Sequence, residues 1–155
     1  MSESTHPGWF YEALVEDSFP WSDGVMMSFK EFSQKYTLHD SYWIGAFLNI
    51  AYEPTVTLAI VWDAVWLPDT IQESTPVVGD WPYLLIQLSG VEQVSPSQDE
   101  DAIEACRTIS GHEVVEVDGK KVLSIDDVYG SQIHIVYRGQ EVFLALDKNQ
   151  HRLEI

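Results

Sequence analysis

The residues best suited to acid–base chemistry in this chain are His39 and Asp40, which are neighbours in the sequence. A carboxylate can orient an imidazole ring so that the ring acts as a general acid or base. Adjacent side chains on an extended segment point in different directions, however, and no nucleophile accompanies this pair. We therefore favour a structural role, in which Asp40 turns or caps the backbone between a helix and a strand and His39 is half-buried.

A second candidate site combines aromatic and acidic side chains in the middle of the chain. Four tryptophans lie there: Trp43, Trp62, Trp66 and Trp81. Because aromatic residues are common both in cores and in binding sites, we expect at least two of the four in the core. An exposed Trp66 between Asp63 and Asp69 would attract arginine or lysine side chains by ion pairing and cation–π contact. The predicted partner-binding residues are Asp63, Trp66, Asp69, Glu73 and Asp80.

Patterns typical of metal sites and of nucleophilic catalysis are missing from the sequence. No two of the five histidines are two or four residues apart, and the single cysteine cannot form a structural zinc site alone. The run 99–101 (Asp-Glu-Asp) lacks the spaced ligands of a calcium loop. Cys106 falls on the apolar stripe of a predicted helix, which favours a small buried hydrophobe. We expect no catalytic residue, no metal and no cofactor.

The charge of the chain is strongly acidic and unevenly distributed. The formal net charge is −17, and residues 36–106 contain eleven Asp and Glu but no Lys or Arg. An acidic surface repels nucleic acid and anionic lipid and attracts cationic partners. The expected partner is therefore a basic protein, and neither nucleic acid nor a membrane is expected.

Length and composition indicate a folded chain. A length of 155 residues with 45% hydrophobic residues predicts a single domain over 1–155. The lone cysteine fits a reducing compartment, and the N-terminus resembles no secretory signal. The longest hydrophobic block, Thr55–Leu67, contains an aspartate and is shorter than a bilayer span of about 20 residues. We expect a soluble, cytoplasmic protein of bacterial type.

Helix and strand patterns in the first half of the chain predict which elements carry the candidate site residues. Residues 1–27 predict an irregular, aromatic-rich N-terminal arm that packs on the domain, and the capping box at Ser28–Glu31 predicts a helix near 27–36. The apolar runs Tyr42–Tyr52 and Thr55–Trp66 predict an antiparallel pair, with the second strand central. Residues 68–80 predict a loop.

The second half predicts more hairpins. Residues 82–89 predict a strand that continues at 91–94 past a bulge at Gly90, and a helix is predicted at 98–109, with Gly111 as its stop. Asp118-Gly119 predicts a hairpin that sets Val117 opposite Lys120, with an ion pair between Glu116 and Lys121.

A further hairpin is predicted at Arg138-Gly139, with Ile135 opposite Val142. One core face would then carry six apolar residues: Ile133, Ile135, Tyr137, Val142, Leu144 and Leu146. A last turn at Lys148-Asn149 would return 152–155 as an edge strand. Together these elements predict an α+β domain with one twisted antiparallel sheet of six to seven strands and two short helices, or alternatively a half-open β-barrel.

The segment Leu38-His39-Asp40-Ser41, followed by an aromatic residue and two apolar strands, resembles small bacterial proteins grouped with the immunity proteins of polymorphic toxin systems. The resemblance covers residues 38–67 and implies a non-enzymatic protein that binds and blocks one toxin. It assigns no individual contact residue.

Three functions follow as hypotheses. The first is an acidic, immunity- or inhibitor-type binding protein that neutralises a basic protein partner. The second is a small-ligand-binding or hydrolytic domain that uses an aromatic and acidic cleft with Asp63, Asp69 or His39. The third is a homo-oligomeric structural protein, for instance a homodimer, whose strands pair edge to edge.

Overall fold

The computed structural model describes residues 6–50, 53–97 and 108–155, which form two antiparallel sheets of six and four strands with a few short helices. The helices are α1 (Gly8–Glu16), α2 (Phe29–Lys35) and α3 (Asp69–Ser74). The strands are β1 (Val25–Met26), β2 (Tyr42–Asn49), β3 (Thr55–Val61), β4 (Tyr83–Ser89), β5 (Val91–Ser97), β6 (Ile109–Val117), β7 (Lys120–Asp127), β8 (Gln132–Tyr137), β9 (Glu141–Leu146) and β10 (Arg152–Leu153). The predicted α+β class is confirmed.

The first sheet has the strand order β1-β9-β4-β3-β2, and β10 also pairs with β9. The second sheet has the order β5-β8-β7-β6. Strand β3 lies between β2 and β4, and six of its seven residues are buried. The predicted antiparallel pair with a central second strand is therefore confirmed, as is the return of the C-terminus as a short strand beside β9.

The prediction of one sheet is wrong because the chain changes sheets at two corners. Strand β4 runs into β5 through Gly90, whose φ of +63° lies in the left-handed region that favours glycine. Arg138 and Gly139 lead from β8 in the second sheet to β9 in the first. The corners are bonded together, since the N–H of Gly139 donates to Ser89 O at 2.9 Å. At these corners the chain bends from β4 into β5 and from β8 into β9. Strands β4 and β9 therefore join the first sheet, β5 and β8 join the second, and neither sheet closes into a barrel.

The two predicted hairpins had opposite outcomes. At Asp118-Gly119 the predicted register is confirmed, with Val117 opposite Lys120. At Arg138-Gly139 it is wrong, since Ile135 pairs with Leu123 and Val94 in the second sheet and β9 pairs with β4. The predicted six-residue core face is consequently divided. Ile133, Ile135 and Tyr137 belong to one core, Leu144 and Leu146 belong to another, and Val142 lies in neither.

Those two cores lie on opposite faces of the first sheet. The main core fills the space between the sheets and includes Leu58 and Ile86 from one sheet and Leu123 from the other. Helix α2 adds Phe32, whose ring stacks on Phe143 at a centroid distance of 4.7 Å. The second core lies under α1 on the outer face of the first sheet.

Three local predictions need correction. In the part of the predicted arm that the structure describes, residues 6–27, the segment 8–16 forms α1 rather than an irregular stretch, and its buried aromatic side chain packs in the second core. The loop predicted at 68–80 contains α3 and a short 3-10 helix, Val78–Asp80. The helix predicted at 98–109 lies largely outside the described residues, as do Cys106 and the acidic run 99–101, but Ile109 begins β6 and Gly111 lies within that strand.

Helix α2 forms where it was predicted, but Lys121 has a different partner from the predicted one. The helix predicted near 27–36 is confirmed, and the N–H of Glu31 donates to Ser28 Oγ at 3.1 Å as the capping box requires. Glu116 lies opposite Lys121 as predicted, but the ion pair predicted between them is wrong. The Lys121 ammonium instead reaches Glu141 in the other sheet, at 3.1 Å from Oε1. A buried carboxylate competes better for the lysine than an exposed neighbour does.

Candidate functional site

A short 3-10 helix, Ala64–Trp66, presents Trp66 at the surface directly after β3. Asp63 caps this helix, since its Oδ1 accepts the N–H of Val65 at 3.0 Å. The N–H of Asp63 in turn donates to Ser41 Oγ at 2.9 Å, and the aspartate is buried. Asp63 therefore supports the segment from below, and the structure does not place it on the surface with the other predicted partner-binding residues.

The environment of Asp63 disfavours its charged form. Burial raises the pKa of its carboxyl group, the hydrogen bond from Val65 lowers it, and the nearby charge of Asp40 raises it again. The balance is a raised pKa. The local structure thus tolerates an unfavourable buried charge in order to cap the segment that carries Trp66.

Trp66 is both exposed and held in place. Its Nε1 donates to the carbonyl oxygen of His39 at 3.0 Å, while 46% of the residue's surface is accessible. The side chain of Gln72 in α3 donates to the carbonyl oxygens of Val65 and Leu67 and so ties α3 to the 3-10 helix. An aromatic side chain fixed before binding loses little conformational entropy when a partner covers it.

His39 and Asp40 form the junction between α2 and β2. Asp40 has a φ of +64°, and its N–H donates to Ile109 O at 2.9 Å, as expected for a residue that turns the backbone. The His39 side chain is 50% accessible, with Nδ1 at 2.9 Å from Ser110 O and Nε2 at 3.5 Å from Asp40 Oδ1. Among the described residues, no hydroxyl or thiol group is hydrogen-bonded to either ring nitrogen, so the pair has no nucleophile to activate. The geometry agrees with the structural role that we favoured from the sequence.

The remaining predicted partner-binding acids are exposed but fall into two groups. Asp69 and Glu73 lie four residues apart on α3, next to the segment that carries Trp66. Asp80 lies on the separate 3-10 helix Val78–Asp80, and its charge acts on Lys148. Within the described part of the chain, neither Asp69 nor Glu73 forms an ion pair with a lysine or arginine.

Glu92 lies in the segment 36–106, which contains no lysine or arginine, but bases from another part of the chain neutralise it. Its carboxylate lies 2.6 Å from Lys120 Nζ and 2.6 Å from Arg138 Nε, and both partners come from the C-terminal part. The hydrogen bonds from these two residues lower the pKa of Glu92. Among the described residues, no such base neutralises Asp69 or Glu73 near Trp66. The tertiary structure therefore divides the acids of residues 36–106 into a neutralised group and a group that keeps its charge.

The four central tryptophans do not line one cleft. Trp62 is fully buried, and its Nε1 donates to Thr37 O at 2.9 Å. Trp43 and Trp81 are partly buried against the main core, which confirms that at least two of the four are core residues. Trp43 borders a pocket of about 250 Å³ at the edge of β2.

A wider cleft that the sequence did not reveal opens between α2 and the β6–β7 hairpin. It has a volume of about 360 Å³, with Ser33 Oγ and His112 Nε2 2.9 Å apart on its wall. Burial lowers the pKa of His112, which favours the neutral imidazole. No signal links these residues in the sequence because 79 positions separate them. Among the described residues, no third side chain forms a hydrogen bond with the His112 ring, so the pair falls short of a catalytic triad.

Comparisons with known proteins add no further assignment. No protein-family model matches the chain, and no match was found among curated proteins or solved structures. In the parts of the chain that the structure describes, no helix has the length and apolar character needed to cross a membrane. The described residues likewise contain no group of three histidine, cysteine or acidic side chains placed to hold a metal ion.

Proposed function

We propose that this protein is a non-enzymatic, acidic binding protein of the immunity or inhibitor type, which neutralises a basic protein partner. Its contact surface is the Trp66 face, which we define as His39, Asp40, Val65, Trp66, Asp69 and Glu73. The observation that carries the proposal is Trp66, an aromatic residue held by a hydrogen bond yet 46% exposed. It lies next to α3, whose Asp69 and Glu73 form no ion pair with a base of the described residues. Binding hot spots are enriched in tryptophan at positions of this kind.

The chemistry of the Trp66 face suits an arginine or lysine of the partner. A guanidinium group that stacks on the exposed indole would gain cation–π attraction, and the carboxylates of α3 would supply the opposite charge. The exposed Val65, at 58% accessible surface, adds apolar area next to the indole. Long-range attraction to a protein with a net charge of −17 would increase the association rate at low salt.

The experiment measures the binding of the purified protein to the products of the neighbouring genes by isothermal titration calorimetry at low and high salt. We expect one basic partner to bind, and Trp66→Ala to weaken binding about 30-fold, which corresponds to about 2 kcal/mol. The double variant Asp69→Asn/Glu73→Gln should weaken binding most at low salt.

The chain offers matched controls for both changes. Glu12 and Glu16 on α1 are also exposed acids four residues apart, and Tyr129 is an exposed aromatic residue at 55% accessible surface. Neutralising Glu12 and Glu16 together, or replacing Tyr129 with alanine, should leave affinity within about twofold. Equal losses from these controls, or binding that does not respond to salt, would contradict the proposal.

A further inference from the structure

A pocket at the edge of β2 combines one half-buried lysine with an aromatic and aliphatic wall. Its volume is about 250 Å³, and its polar wall includes His6 and Lys148. The apolar wall consists of Tyr42, Trp43, Ile44, Val61 and Val78. The 3-10 helix Val78–Asp80 borders the pocket, which is distinct from the Trp66 face.

The ammonium group of Lys148 is held at a fixed position in this pocket. Its Nζ donates to the hydroxyl oxygen of Tyr83 at 2.7 Å and lies 4.0 Å from the centre of the Tyr83 ring. His6 Nδ1 lies 2.9 Å from the same hydroxyl, and Trp9 Nε1 donates to the carbonyl oxygen of Lys148 at 3.0 Å. These contacts position both the side chain and the backbone of the lysine.

The lysine still has donors to offer. An ammonium group has three N–H donors, and among the described residues only Tyr83 accepts one of them from Lys148. Burial lowers the pKa of Lys148, and the charge of Asp80 partly offsets that effect without forming an ion pair in the described structure. A charged group in this position gains more from a counter-ion than one in water does, because the surroundings solvate it poorly.

We infer that the Lys148 pocket binds a small monocarboxylate with an aromatic or aliphatic body. The ammonium group supplies a charge-assisted hydrogen bond to the carboxylate, and the wall of Tyr42, Trp43 and Val61 covers the apolar body. Lys148 brings one positive charge to the pocket of a protein whose net charge is −17. The pocket therefore suits a monoanion better than a phosphate dianion. The volume limits the ligand to roughly the size of benzoate.

Benzoate is the first probe, with benzyl alcohol and benzylammonium as neutral and cationic analogues of similar size. Binding is followed by ligand-observed NMR and by the amide chemical shifts of the pocket residues in ¹⁵N-labelled protein. We expect benzoate to bind with a Kd of about 1 mM or below and at least about tenfold more tightly than either analogue. Equal binding of benzyl alcohol, or no binding of any of the three at about 10 mM, would overturn the inference.

Two variants test the pocket itself. Lys148→Met retains most of the aliphatic stem and should reduce benzoate affinity at least about tenfold. Since it also breaks the contact with Tyr83, Gly79→Leu provides a second test that leaves that contact in place. A Cβ atom at Gly79 would have no atom within 4 Å, and Gly79 lines the pocket, so the leucine should fold and compete with the ligand. Benzoate binding that survives Gly79→Leu with unchanged affinity would also argue against this pocket.

Trp66→Ala should leave benzoate affinity unchanged, because Trp66 does not line the pocket. This variant distinguishes the two proposals. Loss of partner binding with intact benzoate binding supports both of them, whereas loss of benzoate binding in Trp66→Ala would contradict the location proposed here.

Discussion

Lys121 should contribute far more to stability than the adjacent Lys120, although both form ion pairs. Lys121 joins the two sheets, because its ammonium lies 3.1 Å from Glu141 Oε1 and also donates to Gly139 O at 3.3 Å. The Glu141 side chain is only 5% exposed and also accepts the hydroxyl of Tyr137 at 2.7 Å. The pair formed by Lys120 and Glu92 is about one-third exposed on each side.

The expected magnitude follows from what each variant leaves behind. Lys121→Met leaves the buried carboxylate of Glu141 with Tyr137 as its remaining donor, and removing one partner from a buried pair costs about 3 kcal/mol. Lys120→Met leaves Glu92 in contact with solvent and with Arg138, so its cost should stay below about 1 kcal/mol. Lys121→Met should then lower the melting temperature by roughly 6–12 °C.

Urea denaturation followed by tryptophan fluorescence measures these differences, and the slope with denaturant should remain unchanged. The double variant Lys121→Met/Glu141→Gln should recover about 1–2 kcal/mol relative to the sum of the two single variants, because no buried charge is left unpaired. Glu116→Gln should cost less than about 0.5 kcal/mol, since Glu116 does not hold the lysine. If Lys120→Met or Glu116→Gln destabilised the protein as much as Lys121→Met does, the reasoning from the buried inter-sheet pair would be refuted.

Three further stability changes can be measured in the same assay. Ser28→Ala removes the acceptor for the N–H of Glu31 and should cost about 1 kcal/mol, whereas Ser28→Asp should cost almost nothing. Gly90→Ala should cost about 1–3 kcal/mol, because φ is +63° and the new Cβ would lie 3.0 Å from Gly139 N; Gly111→Ala, whose Cβ has no atom within 4 Å, should cost less. Asp63→Asn keeps a helix cap and removes a carboxyl group whose pKa is raised in the folded protein. The stability of the wild type falls as the pH rises through that pKa. The variant should therefore be more stable than the wild type at neutral pH and lose this advantage in acid. An advantage that grew on acidification would contradict the raised pKa.

Much of the local structure was predictable because the signals act between close neighbours in the chain. Ser28 and Glu31 define the start of α2, and Asp118-Gly119 fixes the register of β6 and β7, since a two-residue turn leaves only one alignment of the flanking strands. The central position of β3 followed from apolar residues on both of its faces.

The candidate site was predictable only in part. The spacing of Trp66, Asp69 and Glu73 places them in one segment, and the structure keeps them there. The burial of Asp63 depends on Ser41, which is 22 residues away, and the contact of Trp66 with His39 spans 27 residues. Lys148 reaches Tyr83 across 65 residues, so nothing in its sequence neighbourhood marks the pocket.

The sequence by itself therefore determined the charge of this protein, its secondary structure near strong turn and capping signals, and its α+β class. Only the tertiary structure decided that the strands form two sheets, because a strand pair that bends at Gly90 and Gly139 has the same alternation of side chains as one that remains in a single sheet. It also decided which charges are neutralised: Glu92 meets Lys120 and Arg138 from the far end of the chain. Contacts of this kind depend on which strands lie together in the sheets, and the neighbouring residues in the sequence do not determine that arrangement.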